Sequence, residues 1–397
     1  MKLFQKLLLA PAVIGLLSPI TASASEANLK AVTGYSQSDS DINSDVFKPL
    51  SLKNPLLAGG EGLNHSHSDS SDFDEDTFSS TTTATFSANY IVGAVNGTDY
   101  EKTGATYDYG IALTTGFTGN DALVVEFEAG EGANTLPELD LAETGDALKV
   151  DSISYTTTLG DKTTVFFGDG TPGSNLYTSA CLYSGDATDT LSNCGVASAN
   201  LDVDDVSTAL GASFDLSNGF TAALGYEGEG TSTDGLMTEE GVDAYGANIA
   251  YTGDSYGFSY AYANIDNNDG AGSLTAAEGV TTYNAINAYY APSSSNLPSI
   301  SLGYEWSHDD SAASASDQTT NYFLGVQWDE VGNGSLGAAI GTKTPTAESA
   351  DDLMMYEAFY SYNYSDGITI TPLIYVKENS GSTEDETGII LKSSFEF

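Results

Sequence analysis

Three histidines, two cysteines and 56 acidic side chains are the groups in this 397-residue chain that could do chemistry. His308 stands beside Asp309 and Asp310 and is the only histidine after residue 76. Acyl transfer needs a nucleophile, a base and an orienting group held together on a rigid wall. Adjacent residues on a strand point to opposite faces, and a loop tip gives little preorganisation. Carboxylates are so numerous that a pair of them selects nothing. The expectation is a protein that is not an enzyme, with no catalytic residue and no cofactor. His65 and His67 fall in a polar tract, where two histidines are more simply solvated than metal-bound. Asn264, Asp266, Asn268 and Gly270 resemble part of a calcium loop. Asp269, however, takes the position that needs glycine, and Thr275 the one that needs a bidentate Glu. No metal site is expected.

The cysteines depend on the compartment. Lys2 and Lys6 precede a short apolar core broken by Pro11 and Pro19, and Ala22-Ser23-Ala24 follows as a small-x-small cleavage site. This pattern marks residues 1–24 as a secretory signal peptide. Cys181 and Cys194 then meet an oxidising environment, where two cysteines allow one pairing, and a Cys181–Cys194 disulfide is the default.

Composition excludes several classes. All eleven basic residues are lysines, and the formal net charge is −45. A nucleic-acid partner would need a basic surface that this chain cannot build. Aromatic residues at 11% are too many for disorder along the whole chain. No apolar run reaches the roughly 20 residues of a membrane helix.

The elements that must carry these groups follow from periodicity. Residues 25–76 hold Pro49, Pro55 and the acidic run from Asp69 to Asp76, and read as a flexible periplasmic segment. From Thr77 to Phe397 apolar residues recur at every second position. Phe220, Ala222, Leu224 and Tyr226 form one such set, and Tyr256, Phe258, Tyr260 and Tyr262 another. That is the spacing of a strand with two unlike faces, not of a helix. Roughly sixteen such tracts occur, near the length a tilted strand needs to cross a bilayer. The connectors alternate. Short ones at 119–121, 160–161, 217–219, 253–254, 293–297, 330–333 and 365–367 carry Gly, Asn, Asp or Ser, the residues of tight hairpins. Long ones, mostly acidic, run over 96–106, 130–146, 168–205, 228–241, 266–279, 307–317, 342–352 and 378–386.

This is the pattern of an all-β chain folded as a transmembrane, antiparallel up-and-down β-barrel of sixteen strands. Tyr360, Tyr362 and Tyr364 fit an interfacial girdle. The alternative is a secreted structural or adhesive β-protein without a channel. A soluble sandwich gives no reason for short and long connectors to alternate.

Ile389, Leu391, Phe395 and Phe397 share one face of the last tract, and the chain ends on the aromatic. Leu391, Phe395 and Phe397 resemble the insertion signal of bacterial outer-membrane barrels, which implies the insertion machinery as a partner. The stretch from Met1 to Pro19 resembles signal sequences of porins from marine cyanobacteria. Phe78 to Phe86, with Val92 to Gly97, resembles the first barrel strand of the same family, which is related to the carbohydrate-selective and iron-uptake porins. The resemblance implies an outer-membrane location and passive diffusion of ions and small hydrophilic solutes. By analogy with sixteen-stranded porins, a homotrimer embedded in outer-membrane lipid is expected. Family members usually carry an S-layer-homology domain before the barrel. Only about fifty residues occupy that space here, too few for an ordinary domain, so peptidoglycan anchoring is not carried over.

The longest connector, 168–205, follows the fifth tract, as the constriction loop of general porins does. Asp169, Asp186, Asp189, Asp202, Asp204 and Asp205 are its candidate pore carboxylates. Rings of carboxylates favour cations, and the chain has no arginine to oppose them. A mild cation preference is the expectation.

Overall fold

In the computed structural model, residues 81–397 are described except 98–101, 132–135, 137, 140, 184–187, 196–200, 202–207, 230–234, 239–240, 267–278, 295, 311–316, 348–349 and 381–383. The signal peptide, the 25–76 segment with His65 and His67, and the expected first-strand residues 77–80 lie outside the described residues. So does most of the calcium-like stretch.

The described chain is almost wholly strand. In order these are β1 (Thr82–Asn96), β2 (Lys102–Thr115), β3 (Asp121–Gly130), β4 (Lys149–Leu159), β5 (Thr163–Asp169), β6 (Thr208–Ser217), β7 (Phe220–Gly228), β8 (Asp243–Thr252) and β9 (Tyr256–Asp266). There follow β10 (Val280–Tyr290), β11 (Ser299–Asp309), β12 (Gln318–Val331), β13 (Gly334–Thr342), β14 (Thr346–Ala347), β15 (Met354–Ser365), β16 (Ile368–Lys377) and β17 (Glu386–Glu396). β14 is a two-residue continuation of β13, since both pair with β12. The remaining sixteen strands each pair antiparallel with their neighbours in sequence, and β17 returns to β1.

Among the described residues, closure leaves no free sheet edge. The seam runs from Ser87 opposite Glu396 to Asn96 opposite Thr387. Beyond it, Phe86 and Phe397 exchange both backbone hydrogen bonds at 2.9 and 3.0 Å, and their rings stack 5.6 Å apart. The terminal residue is therefore part of the closing ladder.

The two faces of the wall separate by parity. On β5, Phe166 is 3% exposed and Phe167 is 61% exposed, so even positions look into the barrel and odd ones outward. The outer surface presents Leu210, Phe214, Leu224, Ile249, Phe258, Leu302 and Ile374, all exposed. Tyr245, Tyr256, Tyr290, Tyr356 and Tyr364 lie exposed near strand ends, as interfacial tyrosines do. An apolar belt of this extent is far beyond what a soluble monomer leaves uncovered.

Short connectors occupy 116–120, 160–162, 218–219, 253–255, 291–298, 332–333 and 366–367, and long ones the alternate positions. All short turns therefore share one end of the barrel, with β1's start and the C-terminus. The largest boundary difference from the sequence reading is at the start of β2. Residues 102–106 belong to β2 and pair with 91–95, although 96–106 reads as a loop. Gly104 faces Gly93 there, and two glycines give the period-two pattern nothing to show.

Candidate functional site: the lumen and its inserted loops

The connector after β5 does not stay outside. It crosses the inner wall, held by side chains of six strands. Near its start, Gly173 N donates to Glu227 Oε2 on β7 at 2.6 Å. Thr178 N then donates to Asn248 Oδ1 on β8 at 2.9 Å, and Asn248 Nδ2 returns a bond to Thr178 O at 3.2 Å. Ala180 N donates to Ser259 Oγ on β9 at 2.9 Å, and Leu182 N to Ser301 Oγ on β11 at 3.0 Å. Every second amide of an extended stretch thus finds a hydroxyl or amide of the wall, which replaces the partner strand that buried backbone would otherwise lack.

Glu357 on β15 then accepts three bonds. They come from Tyr183 Oη at 2.9 Å, Thr188 N at 2.9 Å and Thr188 Oγ1 at 2.6 Å. Burial, with the Glu357 carboxylate beside it, pushes the Tyr183 phenol well up, so it stays protonated and keeps donating. Asn321 Nδ2 on β12 donates to Gly195 O. Cys181 and Cys194 are bridged across 13 residues with Cα atoms 6.1 Å apart, and the bridge ties the two ends of this turn together. Close approach also needs missing side chains. A Cβ on Gly225 of β7 would sit 2.0 Å from Gly173 O, so only glycine lets the loop lie this near.

Beneath the loop the wall is apolar. Phe323, Met355, Phe359, Leu373 and Tyr375 face inward and pack with Tyr183, Leu191 and Cys194 of the loop. The interior of a membrane-spanning barrel is ordinarily polar. The inserted chain explains the departure, since the apolar inner face is a docking floor that water does not reach.

Described residues of a second connector, between β3 and β4, also lie inside the barrel. Leu136, 0% exposed, belongs to the same buried apolar cluster as Ile91 and Ile390 of the seam strands. Glu138 pairs with Lys377 on the inner face of β16 and accepts from Thr190 Oγ1 at 2.8 Å. Sequence reading treats this connector as an ordinary long loop.

The inner wall of β2, β3 and β4 carries Asp108, Glu126, Glu128, Ser152 and Ser154. Asn89 Nδ2 donates to Asp108 Oδ1 at 2.7 Å, and Ser152 Oγ to Glu126 Oε2 at 2.6 Å. At the short-turn end a recess of about 450 Å³ is lined by Ser87, Asn89, Ser335, Ser361, Lys392 and Glu396 among others.

Of the six expected pore carboxylates, Asp186, Asp202, Asp204 and Asp205 lie outside the described residues. Asp189 is exposed on the inserted loop, in the 3-10 segment Asp189–Gly195. Asp169 has the parity of Phe167, on the side of β5 away from the lumen, and accepts from Thr208 Oγ1 at 3.2 Å. At the C-terminus, Leu391, Phe395 and Phe397 share the outer face, with Lys392, Ser394 and Glu396 inside. His308 is exposed at a strand end, 3.0 Å from Asp310 and 4.0 Å from Asp317. The residues that position the loop, from Glu227 to Glu357, are not singled out by any sequence motif. They are polar residues at inward parity, which the inner face of any large membrane barrel would carry.

A closed sixteen-stranded antiparallel barrel with short turns at one end and an inserted loop after the fifth strand has the architecture of outer-membrane porins. Solved structures agree. The chain is similar to a mutant of the Rh. blastica porin (13% identity, TM-score 0.52), covering 80% of this chain and 100% of that one. It is similar to OprB of Pseudomonas putida (11% identity, TM-score 0.57), over 80% and 94% of the two chains. It is also similar to a loop-deletion mutant of OmpT, an outer membrane protein of Vibrio cholerae (11% identity, TM-score 0.54), over 80% and 100%. At these identities the likeness is one of fold. No protein-family model matches the chain, and no curated protein matches it.

Proposed function

We propose that this protein is an outer-membrane porin, a water-filled channel for passive diffusion of ions and small hydrophilic solutes. The observation that carries the reading is the combination of an exposed apolar outer wall with a connector folded into the lumen and bonded to six strands. Barrels of sixteen strands are wide enough to leave an aqueous channel, and an inserted loop sets its width. Asp108, Glu126 and Glu128 on the inner wall, with Asp189 exposed on the loop, favour cations over anions. The four aspartates outside the described residues remain candidates for the same role.

In this reading the signal peptide directs export and the 25–76 segment lies in the periplasm. Leu391, Phe395 and Phe397 serve recognition by the insertion machinery, and the barrel assembles as a trimer in outer-membrane lipid. Liposome swelling with neutral solutes of graded size tests the channel. Influx that falls steeply with solute size supports it, and vesicles no leakier than empty ones refute it. Migration that shifts on boiling separates a membrane barrel from a secreted structural β-protein.

A further inference from the structure

We propose that the described part of the connector between β3 and β4, with Leu136, Glu138, Leu139 and Leu141, is a second lumenal element, and that Glu138 and Lys377 form a clasp holding it to the constriction loop, so that the two loops set the passage together. Three observations converge on Glu138, which is 2% exposed and sits on a connector rather than on the wall. Its carboxylate meets Lys377 Nζ through Oε1 and Thr190 Oγ1 through Oε2. Its carbonyl accepts from Asp189 N of the constriction loop at 3.0 Å. One residue therefore joins wall, second loop and constriction loop.

The neighbouring contacts make this a seated element and not a chance touch. Leu136 is fully buried at the barrel seam, and a Cβ on Gly93 would lie 2.6 Å from Leu136 Cδ2, so the wall is cut back to receive it. Leu139 N donates to Leu136 O at 3.2 Å, which turns the chain so that Glu138 reaches Lys377 while Leu136 stays on the floor. Both loops share that floor, because Leu136, Leu141, Leu191 and Cys194 belong to one apolar cluster. A buried carboxylate is retained only where a cation or hydrogen-bond donors compensate its lost hydration, and Glu138 has Lys377 with the single hydroxyl of Thr190. Removing the lysine leaves that charge uncompensated and disfavours the docked arrangement of both loops at once.

Glu138 and Lys377 are positioning residues, and the test reads position directly. Amide exchange is measured in the full-length folded barrel for wild type, Glu138→Gln, Lys377→Met and Lys377→Arg, with single-channel conductance on the same preparations. Exchange at Leu139 and Asp189 is expected to accelerate together, about tenfold or more, in Glu138→Gln and Lys377→Met. Lys377→Arg retains the charge and should keep both amides protected. Conductance should rise in the two disrupting variants and not in Lys377→Arg. Glu138→Gln leaves the wall intact and decides the matter if Lys377→Met fails to fold. Unchanged Asp189 exchange in folded Glu138→Gln overturns the clasp, and faster exchange with unaltered conductance overturns its part in setting the passage. The conductance arm alone rests on the channel reading. A wild type that never conducts would refute that reading, and the exchange arm would still decide the clasp.

Discussion

Replacing Glu357 by alanine should release the constriction loop while leaving the barrel closed. The carboxylate accepts from Tyr183 Oη, Thr188 N and Thr188 Oγ1 at 2.6 to 2.9 Å, and all three donors are buried. Each hydrogen bond to a charged acceptor is worth roughly 1.5–3 kcal/mol, and a buried donor left without a partner costs about 1–3 kcal/mol. The three share one acceptor and do not add independently, so about 3–6 kcal/mol is a fair total. Tyr183 offers no relief by ionising, because burial holds its phenol protonated. That loss would shift loop docking by about 10²-fold or more. The wall should survive, since the backbone of Glu357 still pairs with Ala339 and Tyr375. Amide exchange at Thr188 and single-channel recording are the assays. Faster exchange and a larger, noisier open level are expected, with heat-modifiable migration unchanged. Wild-type protection at Thr188 together with wild-type conductance in the folded variant would refute the reasoning.

Other perturbations separate the remaining contributions. Deleting Phe397 removes its ring stack on Phe86 and both terminal backbone bonds, and should lower folded barrel in membranes far more than removing residues from an exposed loop. Equal membrane levels would count against the seam role. Gly225→Val should displace the loop near Gly173, since even a Cβ would lie 2.0 Å from Gly173 O, and so raise conductance with little change in barrel unfolding. Reduction of Cys181–Cys194 releases a loop whose closure is worth roughly 3 kcal/mol in the chain-entropy model. It should speed exchange at Thr188 and not at strand amides; alkylation and intact mass on unreduced protein must first find no free thiol.

How much of this was legible in sequence varies by element. The alternating short and long connectors stand out because Asn218-Gly219 and Asp366-Gly367 are turn residues whatever surrounds them. Strand parity was equally readable on β5, where Val165, Phe167 and Asp169 fall on one side. Followed to its end, that parity already turns Asp169 outward. The inner surfaces of β15 and β16 were not readable as a lumen. Met355, Phe359, Leu373 and Tyr375 make both faces of these strands apolar, and period two cannot tell lipid from a docked loop. The partners of that floor, Leu136 and Leu191, lie in connectors far away in sequence, so no local pattern joins them. Glu357 and Glu138 were hidden for a further reason. Among 56 acidic residues, those that latch a loop look like those that merely solvate one.

The most direct measurement of the central claim is the reversal potential of the purified barrel in a planar bilayer across a potassium chloride gradient. The account predicts stepwise conductance with potassium favoured over chloride. The preference should fade as salt rises, because screening at 1 M shortens electrostatic reach to about 3 Å. Neutralising Asp108 and Glu126 to Asn and Gln should move the reversal potential toward zero. Absence of conductance steps, or chloride favoured at low salt, would contradict it.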